Sequence, residues 1–296
     1  MKHKARYQIS IMATGTSCST ECIKGSIHAG TPKGTIETLH GLSVYTVGNR
    51  TSPRATICIY SDIFGLGLPN NKIIADAYAA SGEYLVLLPD FFKGDPVGLK
   101  VADALLPVDA AAQSTFAKYT GILASLPTFL MWQRRHGKAE SDKICLDFMQ
   151  ELRRATPSER KIGMVGFCWG GKYAARTGLE SNMIEIDGVK KPLVDAIVAL
   201  HPSHLAVPED VEGLVVPTSF AWGVEDIAVS FETKSKVEEC HAKAQKARKD
   251  FPEIEHKAYT PGRHGFAVRG NPDDPQERKA LEDSEKQVLA WFEKWL

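Results

Sequence analysis

A cysteine set among glycines, Gly166-Phe167-Cys168-Trp169-Gly170-Gly171, closes an apolar stretch and opens a helical one. That context is the one a nucleophile elbow requires, here with sulfur in place of the usual serine oxygen. Glycines lack Cβ, so a tight strand-to-helix turn can lift the Cys168 sulfur to the carboxyl end of a sheet. A helix N-terminus and a paired imidazole both favour the thiolate, which is the attacking species. An acid and then a base follow in the chain order that such a hydrolase needs. Ser219 to Asp226 reads as a strand running into a turn, which places Asp226 at a strand's carboxyl end, with Glu225 as the rival. His264 lies in Pro261-Gly262-Arg263-His264-Gly265-Phe266, a glycine-flanked loop between the last strand and the final helix. Taken singly, a buried cysteine, a turn aspartate and a loop histidine are ordinary features; their order is what points to chemistry. In that chemistry His264 takes the thiol proton, Asp226 fixes the ring's tautomer, and Cys168 is acylated and then freed by water. The developing oxyanion needs backbone N–H donors, for which Trp169 and Ile63, in Asp62-Ile63-Phe64-Gly65, are the candidates.

The elements that must hold these residues alternate along the chain. Leu42 to Val47, Ala55 to Tyr60, Glu83 to Leu88, Lys161 to Phe167, Val194 to Leu200, Val215 to Trp222 and Glu255 to Tyr259 read as strands. Helical spacing falls between them: Asn70 to Ala80, the side bearing Ile144, Cys145, Phe148, Met149 and Leu152, the face of Val237, Cys240, Ala244 and Ala247, and the final face of Leu281, Val288, Phe292 and Trp295. Such alternation predicts an α/β fold with a mostly parallel central sheet and helices on both faces. Residues 1–40 read as an irregular leader and 41–296 as a single domain. Between Val101 and Gly137 the helical pattern is expected to be interrupted at Pro107 and Pro127, and these helices could cover a pocket.

Composition bounds the partners. The 296 residues carry 36 Lys and Arg against 36 Asp and Glu, so no basic field favours nucleic acid or an anionic membrane. No stretch approaches the roughly 20 apolar residues that span a bilayer. Six cysteines, mostly in apolar segments, suit a reducing compartment and a cytoplasmic address. Lys2, Lys4 and Arg6 precede the first acidic residue, Glu21, which keeps a mitochondrial address as the alternative. No dinucleotide-binding or Walker loop is present, so no cofactor is expected. Cys18, Cys22 and His28 are too few and too widely spaced for a structural zinc site, so no metal is expected either.

Four stretches, Ser-Asp-Ile-Phe-Gly at 61 to 65, Pro-Asp-Phe-Phe-Lys-Gly-Asp-Pro at 89 to 96, Gly-Phe-Cys-Trp-Gly-Gly at 166 to 171 and His-Gly-Phe-Ala-Val-Arg-Gly at 264 to 270, together resemble the dienelactone hydrolase family. The leader from Cys18 to Gly34 is similar to that of its eukaryotic, especially fungal, members. The resemblance implies an α/β-hydrolase fold, a triad of Cys168, Asp226 and His264, oxyanion donors on Ile63 and Trp169, and a small-molecule ester, lactone or thioester as substrate. Bacterial members carry a glutamate that contacts the resting thiol; the matching residue here is Asp62, one methylene shorter, whose role is either that or a structural hydrogen bond. They also hold a substrate carboxylate with arginines, for which Arg269 is the nearest match, and Phe64 and Trp222 are the further candidate substrate contacts. Arg134 and Arg135 are weaker candidates for a second arginine. Oligomeric state is not legible in the sequence. A competing reading keeps the fold but makes the chain a non-catalytic pocket protein or a redox-sensing thiol protein.

Overall fold

The computed structural model describes residue 28 and residues 30–99, 101 and 115–296. Cys18, Cys22 and the stretch containing Pro107 lie outside the described residues. Four runs, Ala55–Tyr60 (β3), Tyr84–Pro89 (β4), Lys161–Phe167 (β5) and Ala196–Leu200 (β8), are apolar at almost every position and almost wholly buried. Strands covered on both faces read this way, whereas a half-exposed strand alternates. Side chains point alternately to the two faces. Ile57, Ile59, Val165, Phe167, Val198 and Leu200 therefore pack on one side with Val288 and Phe292. Cys58, Tyr60, Met164 and Ile197 pack on the other with Cys145, Phe148, Met149 and Leu152.

The remaining strands are Thr35–Leu39 (β1), Leu42–Gly48 (β2), the hairpin Ile184–Ile186 (β6) and Val189–Lys191 (β7), Thr218–Gly223 (β9) and Ile254–Tyr259 (β10). The main sheet runs β1-β2-β4-β3-β5-β8-β9-β10. β1 and β2 pair antiparallel, as do β2 and β4, and every other pair in that sheet is parallel. The helices are Pro69–Ala79 (α1), Thr115–Arg135 (α2), Lys138–Ala155 (α3), Trp169–Thr177 (α4), Phe231–Ala247 (α5), Phe266–Arg269 (α6) and Pro275–Trp295 (α7). Among the described residues no helix is long and apolar enough to cross a membrane.

Register matters for function. Tyr60 pairs with Gly166, Phe167 with Leu200, Leu200 with Ala221 and Gly223 with Tyr259. The carboxyl ends of β3, β5, β8, β9 and β10 thus lie side by side, and the loops that follow them emerge along one edge, where open α/β sheets place their sites.

Three expectations change. Thr35–Leu39 is a strand and not part of an irregular leader; four of its five residues are exposed, including Ile36, so it carries no burial pattern to read. Pro127 lies inside α2 without ending it. It sits on the exposed side, where the carbonyl that loses its N–H partner can meet water. The β6–β7 hairpin, two three-residue strands joined at Asp187-Gly188, falls where no strand is expected.

A chain of neutral rings ties β9, β10 and α5 together. The Trp222 indole N–H donates to His256 Nδ1 at 3.0 Å, His256 Nε2 lies 3.1 Å from His241 Nδ1, and His241 Nε2 lies 3.2 Å from the Val211 carbonyl oxygen. A carbonyl only accepts, so one set of tautomers satisfies all three bonds: each histidine donates through Nε2 and accepts through Nδ1. Burial, reinforced at His241 by the second ring, lowers both histidines to about 4. The unfolded chain binds these protons near pH 6.5, so their stabilising contribution is complete above that pH and is lost as pH falls toward 4. Between pH 7 and pH 5 the unfolding free energy should fall by up to about 2 kcal/mol per histidine. Urea unfolding at the two pH values, with His256→Phe as the flattened control, measures it.

Candidate active site

Cys168 occupies the turn between β5 and α4 with φ 54° and ψ −113°, a conformation unfavourable for a side-chain-bearing residue and kept where surrounding structure enforces it. The enforcement is visible. The Cys168 N–H donates to the Leu200 carbonyl at 3.1 Å and the Gly170 N–H to the Ser61 carbonyl at 3.1 Å. Gly170 passes so near β3 that a Cβ there would stand 2.1 Å from the Tyr60 carbonyl oxygen. Only glycine permits that approach, and the approach holds the elbow against the loop bearing Asp62 and Ile63.

Asp226 and His264 are brought together by the loops after β9 and β10. The Val224 N–H donates to the Tyr259 carbonyl at 3.0 Å and the Glu225 N–H to the Gly262 carbonyl at 3.1 Å. A Cβ on Gly223 would fall 2.1 Å from that same Gly262 oxygen, so the two loops close only because Gly223 has none. The Asp226 carboxylate accepts from the Ala228 N–H at 2.8 Å and the Val229 N–H at 3.0 Å. It also meets His264 Nδ1 at 2.9 and 3.0 Å. Glu225, the rival acid, is exposed and faces Arg263 at 3.8 Å. His264 Nε2 lies 3.0 Å from the Cys168 sulfur. Cys168, His264 and Asp226 therefore form one hydrogen-bonded chain. Burial by itself would favour a neutral His264 ring, but Cys168 beside Nε2 and the carboxylate at Nδ1 outweigh it and push the group up to about 10.

The N–H groups of Ile63 and Trp169 meet no acceptor among the described residues, while those of Gly65 and Gly170 on the same segments are bonded. The Trp169 ring lies against Phe92 and Tyr173, at centroid distances of 4.7 and 4.5 Å. Phe92 packs on Trp132, whose indole N–H donates to the Asp95 carbonyl at 2.9 Å. This is what the 89 to 96 motif does: it links α2 to the residue after Cys168.

Other expected site residues are placed differently. The Asp62 carboxylate accepts from the Asn71 amide at 2.9 Å and the Phe64 N–H at 3.1 Å. Its hydrogen-bond partners do not include the Cys168 sulfur, whose partners are His264 and Ser203. Burial raises Asp62 to about 6, against the pull of Asn71, the Phe64 N–H, Arg269 and His264. Arg269 is 6% exposed, with its guanidinium 5.0 Å from the centroid of the Phe64 ring. Trp222 spends its N–H on His256 and stacks on Phe220. The ring that meets His264 is that of His201, fully buried and edge-on at 5.2 Å. Arg135 pairs with Asp95 at 2.8 Å.

Ser203 was not foreseen. Its hydroxyl lies 3.2 Å from the Cys168 sulfur and 3.3 Å from His264 Nε2. The available signal was its position, three residues beyond the end of β8, the strand beside β5. Among the described residues no three His, Cys, Asp or Glu side chains are grouped to hold a metal ion.

Residues 42–296 match the model of the dienelactone hydrolase family. The chain belongs to that family. Over 278 residues this dienelactone hydrolase family member is 31% identical to the hydrolase pyvD of Aspergillus violaceofuscus, covering 93% of this chain and 96% of that one. It is 27% identical over 285 residues to a carboxymethylenebutenolidase homolog of Xenopus tropicalis, covering 95% and 98%. The crystal structure of a dienelactone hydrolase-like promiscuous phosphotriesterase from metagenomic libraries aligns with a TM-score of 0.58 at 19% identity, over 89% of this chain and 97% of that one. The expected α/β-hydrolase fold is borne out, and family membership makes the chain a lactone or ester hydrolase.

Proposed function

We propose that this enzyme cleaves small, uncharged esters or lactones through a Cys168 acyl-enzyme. The observation that carries the reading is the unbroken chain from the Cys168 sulfur through His264 to Asp226. A thiolate at the N-terminus of α4 attacks the carbonyl carbon, and the Ile63 and Trp169 N–H groups receive the oxyanion. The His264 imidazolium gives its Nε2 proton to the departing alkoxide, leaving a thioester on Cys168. Water then yields a proton to the same nitrogen as it attacks the thioester, while Asp226 holds the ring's tautomer throughout.

The charge around the site argues for an uncharged substrate. Arg269 is buried against Phe64, and its charge acts on Asp62. Lys172 is held by the His204 carbonyl at 2.7 Å and by Asp210 at 3.5 Å. Arg263 faces Glu277 at 3.3 Å. Each of these cations already answers to an acid, and a substrate carboxylate would have to displace one of them. A panel pairing methyl or p-nitrophenyl esters of neutral acids with the half-esters of matched diacids tests this. A preference of about tenfold or more in kcat/KM for the neutral member is expected, from the roughly 1.4 kcal/mol that each factor of ten represents; preference for the anionic member would refute the substrate class.

A further inference from the structure

The turn after β8, His201-Pro202-Ser203-His204, is built with more constraint than a connection needs. His201 and His204 both have positive φ, 37° and 55°, and neither is glycine. A Cβ on Gly171 of α4 would stand 2.9 Å from the Pro202 Cα, so the turn is wedged against the helix that begins at the nucleophile. The Ser203 N–H donates to the Cys168 carbonyl at 3.0 Å, which fixes the turn to the elbow independently of the side chain. The result is a hydroxyl, 5% exposed, within hydrogen-bond distance of both the nucleophile and the base.

We infer that Ser203 is a fourth catalytic residue, whose hydroxyl donates a hydrogen bond to the Cys168 sulfur whenever that sulfur carries negative charge. The inference rests on Cys168 being the nucleophile. Charge resides on the sulfur twice in each cycle. In the free enzyme the His264 imidazolium N–H and the Ser203 O–H both point at the thiolate. In deacylation, water adds to the thioester carbonyl and passes a proton to His264. The carbon–sulfur bond then breaks, its electron pair returns to the sulfur, and the Ser203 hydrogen bond strengthens as that charge appears. The thioester sulfur between these stages is a poor acceptor, so in deacylation the bond is gained as the barrier is crossed and lowers it. The other titratable or charged groups about the pair are His264 and Asp226 from the loops after β10 and β9, His201 and His204 from the same turn, Asp62 from the loop after β3, and Lys172 on α4. Of these neighbours and Ser203, it is the Ser203 hydroxyl that lies within hydrogen-bond distance of both the sulfur and His264 Nε2.

The test is the rate of iodoacetamide alkylation of Cys168 against pH, which reads the thiolate whether or not an ester is turned over, together with kcat for p-nitrophenyl acetate, which reads deacylation after the burst. Ser203→Ala should move the alkylation profile about one unit to higher pH and lower the deacylation-limited kcat about tenfold, since a hydrogen bond to a charged group contributes about that much. Ser203→Thr and Ser203→Val differ only in the hydroxyl, so they decide the matter even if the alanine variant unfolds. Threonine should restore the wild-type profile and valine should not. Identical profiles for threonine and valine, or a Ser203→Ala profile superimposable on wild type, would overturn the inference. A wild type that alkylates normally but hydrolyses nothing would count against the proposed function and leave the role of Ser203 to be judged by the profile.

Discussion

Cys168→Ala is expected to lower kcat/KM for a p-nitrophenyl ester by about ten-thousand-fold, because removing a nucleophile removes covalent catalysis and leaves only binding and the oxyanion donors. Stability should change little, by about 1 kcal/mol or less, since the turn is held by backbone bonds from Cys168 to Leu200 and from Gly170 to Ser61 and not by the sulfur. Alanine carries the same Cβ at the same positive φ, so it adds no new backbone strain. Steady-state kinetics beside a thermal melt separate the two effects. A variant that melts like wild type and retains more than about a hundredth of its activity would mean that another group attacks.

Loss of the base should be nearly as severe. His264→Ala is expected to reduce kcat by about a thousandfold or more, because in the proposed mechanism the ring serves as acid in acylation and as base in deacylation. The wild-type enzyme should also show an alkaline limb. His264 is pushed up to about 10, so the imidazolium that protonates the leaving group persists through neutral pH and is lost as pH rises through that value. Pre-steady-state acylation rates from pH 6 to 11, compared between wild type and His264→Ala, should show the limb in the first and not in the second.

How much of this was legible in the sequence depended on whether a residue's role was local or shared. The strands from Ala55 and Lys161 announced themselves because both faces are covered, which forces unbroken apolar runs. Gly166, Cys168 and Gly170 were legible for the same kind of reason, since a tight turn dictates residue type over a few positions. β1 was not, because an exposed edge strand needs backbone partners and no particular side chains. Asp62, Arg269 and Ser203 were harder still. Whether Arg269 holds a substrate or lies on Phe64 is decided by packing between α6 and the loop after β3, some 200 residues earlier in the chain. Ser203 is one serine in a connecting segment until β8 is placed beside β5 and its turn is seen against the elbow. The elbow context, the chain order and the family resemblance all pointed to Cys168, Asp226 and His264, but none offered a signal for a hydroxyl within reach of both the thiol and the imidazole.

The proposed acyl-enzyme on Cys168 is tested by intact-protein and peptide mass spectrometry of the enzyme mixed with p-nitrophenyl acetate and quenched in acid within milliseconds. A single acetyl group is expected, carried by the peptide containing Cys168, appearing with the burst of p-nitrophenol and decaying as the steady state ends. Steady turnover with no acetyl on Cys168 at any time, or an acetyl that forms on another residue and turns over in the Cys168→Ala variant, would contradict it.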